Sequence, residues 1–547
     1  MDQDLLRQAQ SAGIETFFID VDGQEQHAAE PTLRLLLELL SRPKTDGNLL
    51  VVRHGDAIDL LSGNGVPALA TLRKREHVLA RSKDAQLALP DDLPRGDYRL
   101  DLALDDGQRK SFKLLHTPAR AYQPRFALEG CRSWILSVQL YSLCSARNFG
   151  HGDFTDLRQL LELVADAGGG GVGVNPLHAL AEDDADAASP YAPSSRIFLN
   201  WLYIDVGLLP GIEPDELDGM QPHESPDDGL IDYAKVAAAK ETVLRLAYRR
   251  FVERGSEDER AAFAAYRQDM GEDLRRYAAF CLLRRREGGS WRYWRRPWAQ
   301  PTPQDLETFA RENADEIGYH EFVQFHAFRQ LAECTALAQR RQMDVGLYLD
   351  VAVGVHPDGF DAWNDPDVFL HGASIGAPPD PLNKAGQNWG LTSFHPGMLR
   401  QRGYKPFRKM LGASMRHAGA IRIDHVLGLN RLYVVPPGSE ATQGAYIKYP
   451  LAELLAVLAM ESQFHRCLVI GEDLGTVPDG LRQQLRDFGI WTYRVMMFEQ
   501  DAATFHAPDT YPRQALSTFS THDMPTFAGW RGGKDIELMR TLGLPAA

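Results

Sequence analysis

The 547-residue sequence predicts an α/β fold: a (β/α)8 barrel of the TIM type with a large helical insertion, preceded by a small N-terminal extension. Three observations predict it. From Cys131 onward, short and nearly continuous apolar runs recur, most of them followed by helical stretches, as expected of parallel strands buried on both faces. Nearly every run ends in a polar cluster. Chemistry spread over the C-terminal ends of many strands belongs to a barrel, whereas an open doubly wound sheet gathers it at one switch point. The first part of the chain, in contrast, shows short alternating segments and turn pairs.

In chain order, Gly13–Val21 and Asn48–His54 read as short strands and Pro31–Leu40 as a helix with a leucine-rich face. Ala85–Leu89 and Tyr98–Leu104 alternate apolar and polar residues, as half-buried antiparallel strands do. Asp22-Gly23, Asn64-Gly65 and Asp106-Gly107 are turn signals. Residues 1–122 are therefore expected to form a short helical piece plus a β-sandwich-like module, with Thr117–Pro124 as a linker. The barrel is expected over residues 123–547. Its strands are expected in Trp134–Leu143, Gly171–Pro176, Val345–Val355, Ala418–Asp424, Cys467–Glu472, Thr492–Phe498 and Leu516–Thr521. Between the second and third, residues 206–342 are rich in Arg, Glu, Ala and Leu. Helical spacing in Glu241–Arg254 and Ala261–Arg286 marks a mostly helical insertion. The runs predict seven strands, with the eighth strand missing. Two open strand edges, weak stability and weak activity are expected for the chain by itself.

The net charge of −15 argues against a general nucleic-acid or anionic-membrane surface and suits a neutral polar substrate. No apolar run approaches the ~20 residues of a membrane span. Met1–Gln10 has no apolar core of a signal peptide. The five cysteines are scattered without a C-x-x-C pair, which suggests reduced thiols and a cytoplasmic setting. His151, His178, His356 and His371 lack metal spacing, so no metal is expected. Gly168–Gly173 contains G-x-G-x-x-G, but before a strand rather than between strand and helix, so it reads as a loop. Its four consecutive glycines are expected to loosen that segment.

Three strand ends carry acids: IRIDH (Ile421–His425), IGEDL (Ile470–Leu474) and STHDMPT (Ser520–Thr526). In a barrel they face one mouth. Glycosidic cleavage with retention needs a carboxylate that attacks the anomeric carbon and a carboxylic acid that protonates the leaving oxygen, then serves as base. A further acid beside the oxocarbenium-like transition state can bind sugar hydroxyls. Each acid taken singly could instead cap a helix or pair with an arginine. Arg422 lies two residues before Asp424 and so shares its face on a strand. Asp473 and His425 point the other way and read as packed residues. His522 is suited to a sugar hydroxyl. Ser520, His522 and Asp523 are too close in sequence to form a hydrolase triad.

In these segments the chain resembles the 4-α-glucanotransferases, also called amylomaltases or disproportionating enzymes, of the α-amylase clan. The resemblance runs from about Ala12 to the C-terminus. It is carried in order by AGIETFFIDVDG (Ala12–Gly23), SVQLYSL (Ser137–Leu143), GHGDFTDL (Gly150–Leu157), GVNPLHAL (Gly173–Leu180) and SPYAPSSRIFLN (Ser189–Asn200). LYLDVAVGV (Leu347–Val355), GAPPD (Gly376–Asp380), GQNWGL (Gly386–Leu391) and the three acid segments follow. The resemblance implies that Asp424 is the nucleophile, Glu472 the acid/base and Asp523 the transition-state stabiliser. It implies substrate contacts for Tyr191, Asp350, Gln387, Trp389, Arg422 and His522. It also implies transfer of an α-1,4-glucan segment to the 4-hydroxyl of another glucan, maltooligosaccharides as partners, and no cofactor. Hydrolysis of α-glucans and a non-catalytic glucan-binding role are the alternatives. Cys144, Phe149 and Thr392-Ser393 depart from the family pattern, where arginine, tryptophan and a proline pair are expected.

Overall fold

The computed structural model describes residues 2–543, apart from 21–22, 42–47, 60–66, 84–85, 182–187, 218–219, 221–229, 381–382 and 502–503. The expected Asn64-Gly65 turn lies outside the described residues, as do Val21, Asp22 and Ala85 at the edges of other expected elements. Seven parallel strands follow one another in chain order across one sheet. They are β1 (Ile135–Val138), β2 (Gly171–Val174), β3 (Gly346–Val351), β4 (Ala420–Ile423), β5 (Leu468–Gly471), β6 (Trp491–Val495) and β7 (Ala515–Thr518). β1 is shorter than the expected run because Leu140–Ser142 turns into a 3-10 helix, pinned where Leu140 N–H donates to Asn175 Oδ1 at 2.8 Å.

Strand alternation divides the side chains into two cores. Tyr348, Ala420, Leu468, Ile470, Trp491, Tyr493 and Val495 fill the concave side of the sheet. Leu347, Leu349, Ile421, Ile423 and Val469 point outward into the helical layer. Burying each such side chain contributes about 1.5–3 kcal/mol relative to exposure. The helices are α1 (Phe154–Asp166), α2 (Ala314–Arg340), α3 (Lys405–Met415), α4 (Leu451–His465) and α5 (Leu481–Asp487). α1 starts at a capping box between Asp153 and Asp156 and buries Leu157, Leu161 and Val164 at helical spacing. The insertion contributes helices Tyr233–Arg254, Glu257–Glu287 and Pro303–Glu312, the second broken at Gly271 (φ 58°, ψ −135°).

The glycine run before β2 behaves contrary to expectation. A Cβ on Gly170 would lie 1.9 Å from Ser133 Oγ, one on Gly171 2.5 Å from Gly346 O, and one on Gly173 2.7 Å from Tyr348 Cδ1. These glycines allow close approach of neighbouring strands, so the segment is tightly packed rather than loose.

A second, antiparallel sheet lies beside the barrel, in the order Gln387–Leu391, Ser374–Ala377, Arg431–Val435, Ala445–Lys448. The helices Gln3–Ser11 and Glu30–Leu40 pack on each other, and the segment between them docks on this sheet. Ile14 bridges Ile447, Glu15 pairs with Arg431 at 2.6 Å, and Phe18 meets Tyr433 and Tyr446 edge-on. A five-stranded sheet follows, ordered Leu49–Arg53, Arg109–Thr117, Gly96–Leu104, Pro67–Lys74, His77–Ser82. It has its own core around Leu72, Leu100 and Leu114 and touches α4. No helix among the described residues is long and apolar enough to cross a membrane.

Candidate active site

The register of the central strands sets the site. Asp350 on β3 pairs with Arg422 on β4, and Arg422 with Ile470 on β5. One step further, Asp424 N–H donates to Val351 O at 3.1 Å and Glu472 N–H to Ile423 O at 3.1 Å. The ladder thus carries Asp424 and Glu472 past the strand ends at nearly the same height. Period-two alternation turns Asp350, Arg422, Asp424 and Glu472 toward the concave side.

Arg422 is the hub. Its side chain is 10% exposed. Nη1 donates to both oxygens of Asp350 at 2.9 Å and pairs with Asp424 Oδ1 at 2.8 Å, while Nη2 lies 3.9 Å from Glu472 Oε2. Its guanidinium also sits 5.6 Å from the centre of the Tyr493 ring. A planar fork of donors suits several carboxylates at fixed angles. Asp424 and Glu472 therefore bracket one guanidinium.

Glu472 is 8% exposed and held by main-chain donors: His425 N–H to Oε2 at 2.8 Å and Leu474 N–H to Oε1 at 3.0 Å. Burial pushes its carboxyl up to about 7, with the Asp424 charge adding to the rise. Arg422 and the two N–H groups oppose it. A carboxyl tuned near neutrality can both give and take a proton at physiological pH. Burial likewise raises Asp350, against the pull of Arg422.

On the far side, Tyr191 O–H donates to Asp350 Oδ2 at 2.8 Å and lies 3.2 Å from His522 Nδ1. The Tyr191 and His522 rings stack at 4.4 Å and 8°. His522 Nε2 is 3.1 Å from Asp523 Oδ1, and this bond holds the Asp523 carboxyl below its usual range despite some desolvation. The Asp523 side chain is 77% exposed, open to the mouth. The chain Asp424–Arg422–Asp350–Tyr191–His522–Asp523 is thus one connected network. Gln387 and Trp389 come from the antiparallel sheet: Trp389 Nε1 donates to Gln387 Oε1 at 3.0 Å, and the Trp389 ring meets His425 edge-on at 5.4 Å.

Two contributors escaped the sequence reading. His425 adopts a left-handed conformation (φ 48°, ψ 60°), uncommon outside glycine, which turns its N–H onto Glu472. Its side-chain type carries no signal of that role. Tyr493 was findable, since alternation along Trp491–Val495 sends it inward with Trp491. Asp473 is fully buried and accepts from Thr492 Oγ1, Tyr493 N–H and Arg482 Nε, which ties β5 to β6 and α5.

The family described as 4-alpha-glucanotransferase matches residues 138–541. A 4-alpha-glucanotransferase of Haemophilus influenzae is 36% identical over 579 residues, covering 99% of this chain and 82% of the relative. One from Mycobacterium tuberculosis is 37% identical over 481 residues, covering 84% of this chain and 66% of the relative. Among solved structures, an amylomaltase from Corynebacterium glutamicum superposes with a TM-score of 0.82 at 28% identity. It covers 100% of this chain and 83% of that protein.

Proposed function

Because the chain belongs to the 4-alpha-glucanotransferase family, we propose that its network performs a retaining double displacement on α-1,4-glucans with Asp424 as nucleophile and Glu472 as acid/base. The observation that carries this reading is the shared guanidinium. Arg422 fixes Asp424 through Oδ1, which leaves Oδ2 to attack the anomeric carbon. The same guanidinium lies beside Glu472.

In the first step the Asp424–anomeric carbon bond forms while the bond to the glycosidic oxygen breaks. Glu472 gives its proton to that oxygen, and the shortened glucan departs. In the second step the Glu472 carboxylate takes the proton of an acceptor 4-hydroxyl. The acceptor oxygen displaces Asp424, restoring the α configuration. Tyr191, His522 and Asp523 line the side of the network away from Asp424 and hold hydroxyls of the donor sugar as positive charge grows on its ring. Trp389 offers an aromatic face to a glucose unit along the groove, and Gln387 fixes the indole. Maltooligosaccharides are the substrates, and the setting is cytoplasmic; the five cysteines, all free thiols, support that setting.

Hydrolysis and simple glucan binding have no observation in their favour beyond the acids they would share. A glycosyl fluoride tests the assignment, because its leaving group needs no proton. Incubated with α-maltosyl fluoride, Glu472→Gln should accumulate a maltosyl ester, found by mass spectrometry on the peptide holding Asp424. An adduct on any other residue, or on none, contradicts it.

A further inference from the structure

Away from the carboxylates, one buried cation has an unfilled edge. Arg196 sits on the strand Ser195–Leu199 at 3% exposure. Its Nη1 donates to Ala352 O and Val353 O, both at 3.1 Å, and its guanidinium face covers the Phe394 ring at 4.9 Å. Nε and Nη2, the edge that forms a two-pronged fork, have no hydrogen-bond partner among the described residues. Asp361, the carboxylate whose charge acts on Arg196, is engaged elsewhere: its oxygens accept from Ser195 Oγ at 2.6 Å and from the main-chain N–H of Arg196 at 2.9 Å. A buried guanidinium with an open fork is strongly disfavoured unless something accepts from it.

A second orphan belongs to a residue that lines a cavity in common with Arg196. His178 is 5% exposed, and its Nε2 also lacks a partner among the described residues. Burial, and then the charge of Arg196, push the imidazole down to about 3, so the ring is neutral and one nitrogen can donate. Both residues line a cavity together with Leu177, Leu349, Asp350 and Ser414, in which the centre of a water-sized sphere has about 20 Å³ to occupy. That is room for one atom-sized occupant. The Asp350 carboxylate is already engaged by Arg422 and Tyr191.

We propose that Arg196 and His178 form an internal site for a single halide-sized monovalent anion, which ties the strand Ser195–Leu199 to β3 beneath Asp350. The anion accepts from the Nε–Nη2 fork of Arg196 and from His178 Nε2–H. It balances a charge that Asp361 does not contact through the guanidinium.

The test uses the full chain and does not depend on turnover. Thermal unfolding is followed at constant ionic strength in sodium chloride, sodium bromide and sodium gluconate. Anion binding to the folded state alone predicts a saturable rise in midpoint with either halide and none with gluconate. Arg196→Gln removes that rise. In crystals soaked in bromide, an anomalous peak lies within hydrogen-bond distance of Arg196 Nε and Nη2. Equal midpoints in the three salts, a halide increment that survives Arg196→Gln, or a cavity holding only water in bromide overturns the proposal. If Arg196→Gln does not fold, the salt series and the bromide peak of the unaltered chain still decide.

Discussion

In Glu472, the proposed acid/base, burial ties stability to pH. Its carboxyl is raised chiefly by burial, so the folded chain holds its proton to about pH 7 while an unfolded glutamate releases it near 4.5. The sign follows. Stability from this group is fully present below about pH 4.5 and is lost as pH rises through about 7. Glu472→Gln is neutral throughout, so its thermal midpoint relative to the parent should rise between pH 4 and pH 8. The gain should be on the order of 3 kcal/mol at the alkaline end. A constant difference across that range would remove the buried-acid account. The same substitution should lower kcat for maltotriose roughly 10²- to 10⁴-fold, while only the first, ester-forming step is recovered on a glycosyl fluoride. In the parent, kcat should fall as pH rises through about 7, where the acid form of Glu472 disappears. The acids themselves were legible in the sequence, because each follows an apolar run. The tuning was not. It depends on the left-handed turn at His425 and on the burial depth of Glu472, neither of which has a residue-type signature.

At the level of elements, the parallel strands were readable because a strand buried on both faces must be apolar along its length. Their ends were less so, as the 3-10 turn at Leu140–Ser142 keeps an apolar composition while leaving the sheet. The glycine run misled because flexibility in an isolated peptide says nothing about what presses on it. Gly173 lies under Tyr348, so Gly173→Ala should destabilise the chain by about 1–3 kcal/mol in denaturant unfolding. Adding Tyr348→Leu should restore part of that loss. Independent, additive effects of the two changes would show that the contact is not the cause. Thr392 is a second instance. Its N–H donates to Val355 O at 2.9 Å and its carbonyl accepts from Val355 N–H at 3.0 Å, a bridge that a proline at this position could not complete. The departure from the expected proline pair thus fastens the end of the strand carrying Trp389 to the segment after β3. For Trp389 itself, replacement by alanine should raise KM for long maltodextrins about tenfold while kcat changes less than about threefold. Loss of one aromatic face on the order of 1.4 kcal/mol accounts for that split. An effect confined to kcat would move Trp389 from binding to the chemical step.

Across the molecule, side chains far apart in sequence converge because the ladder repeats the same register from β3 to β5. The N-terminal residues lie against the barrel and its antiparallel sheet. Arg53 caps the Phe488 ring at 4.6 Å, Arg400 Nη2 donates to Leu49 O at 2.7 Å, and Glu15 pairs with Arg431 on the sheet that also carries Trp389. None of these long-range pairs could be read from the chain, since nothing local distinguishes Glu15 or Arg53 from other surface charges. What the chain did disclose was the order of strands and the acids at their ends, enough to point to glycosyl chemistry before any contact was known. The central claim is that Asp424 and Glu472, set around one arginine, pass a glucan segment to another glucan rather than to water. It is tested by incubating the purified chain with maltotriose and resolving the products by length, with Asp424→Asn alongside. The account predicts glucose together with a ladder of longer maltodextrins from the parent, and no product from Asp424→Asn. Maltotriose shortened to maltose and glucose with no longer species, or the same ladder from Asp424→Asn, would contradict it.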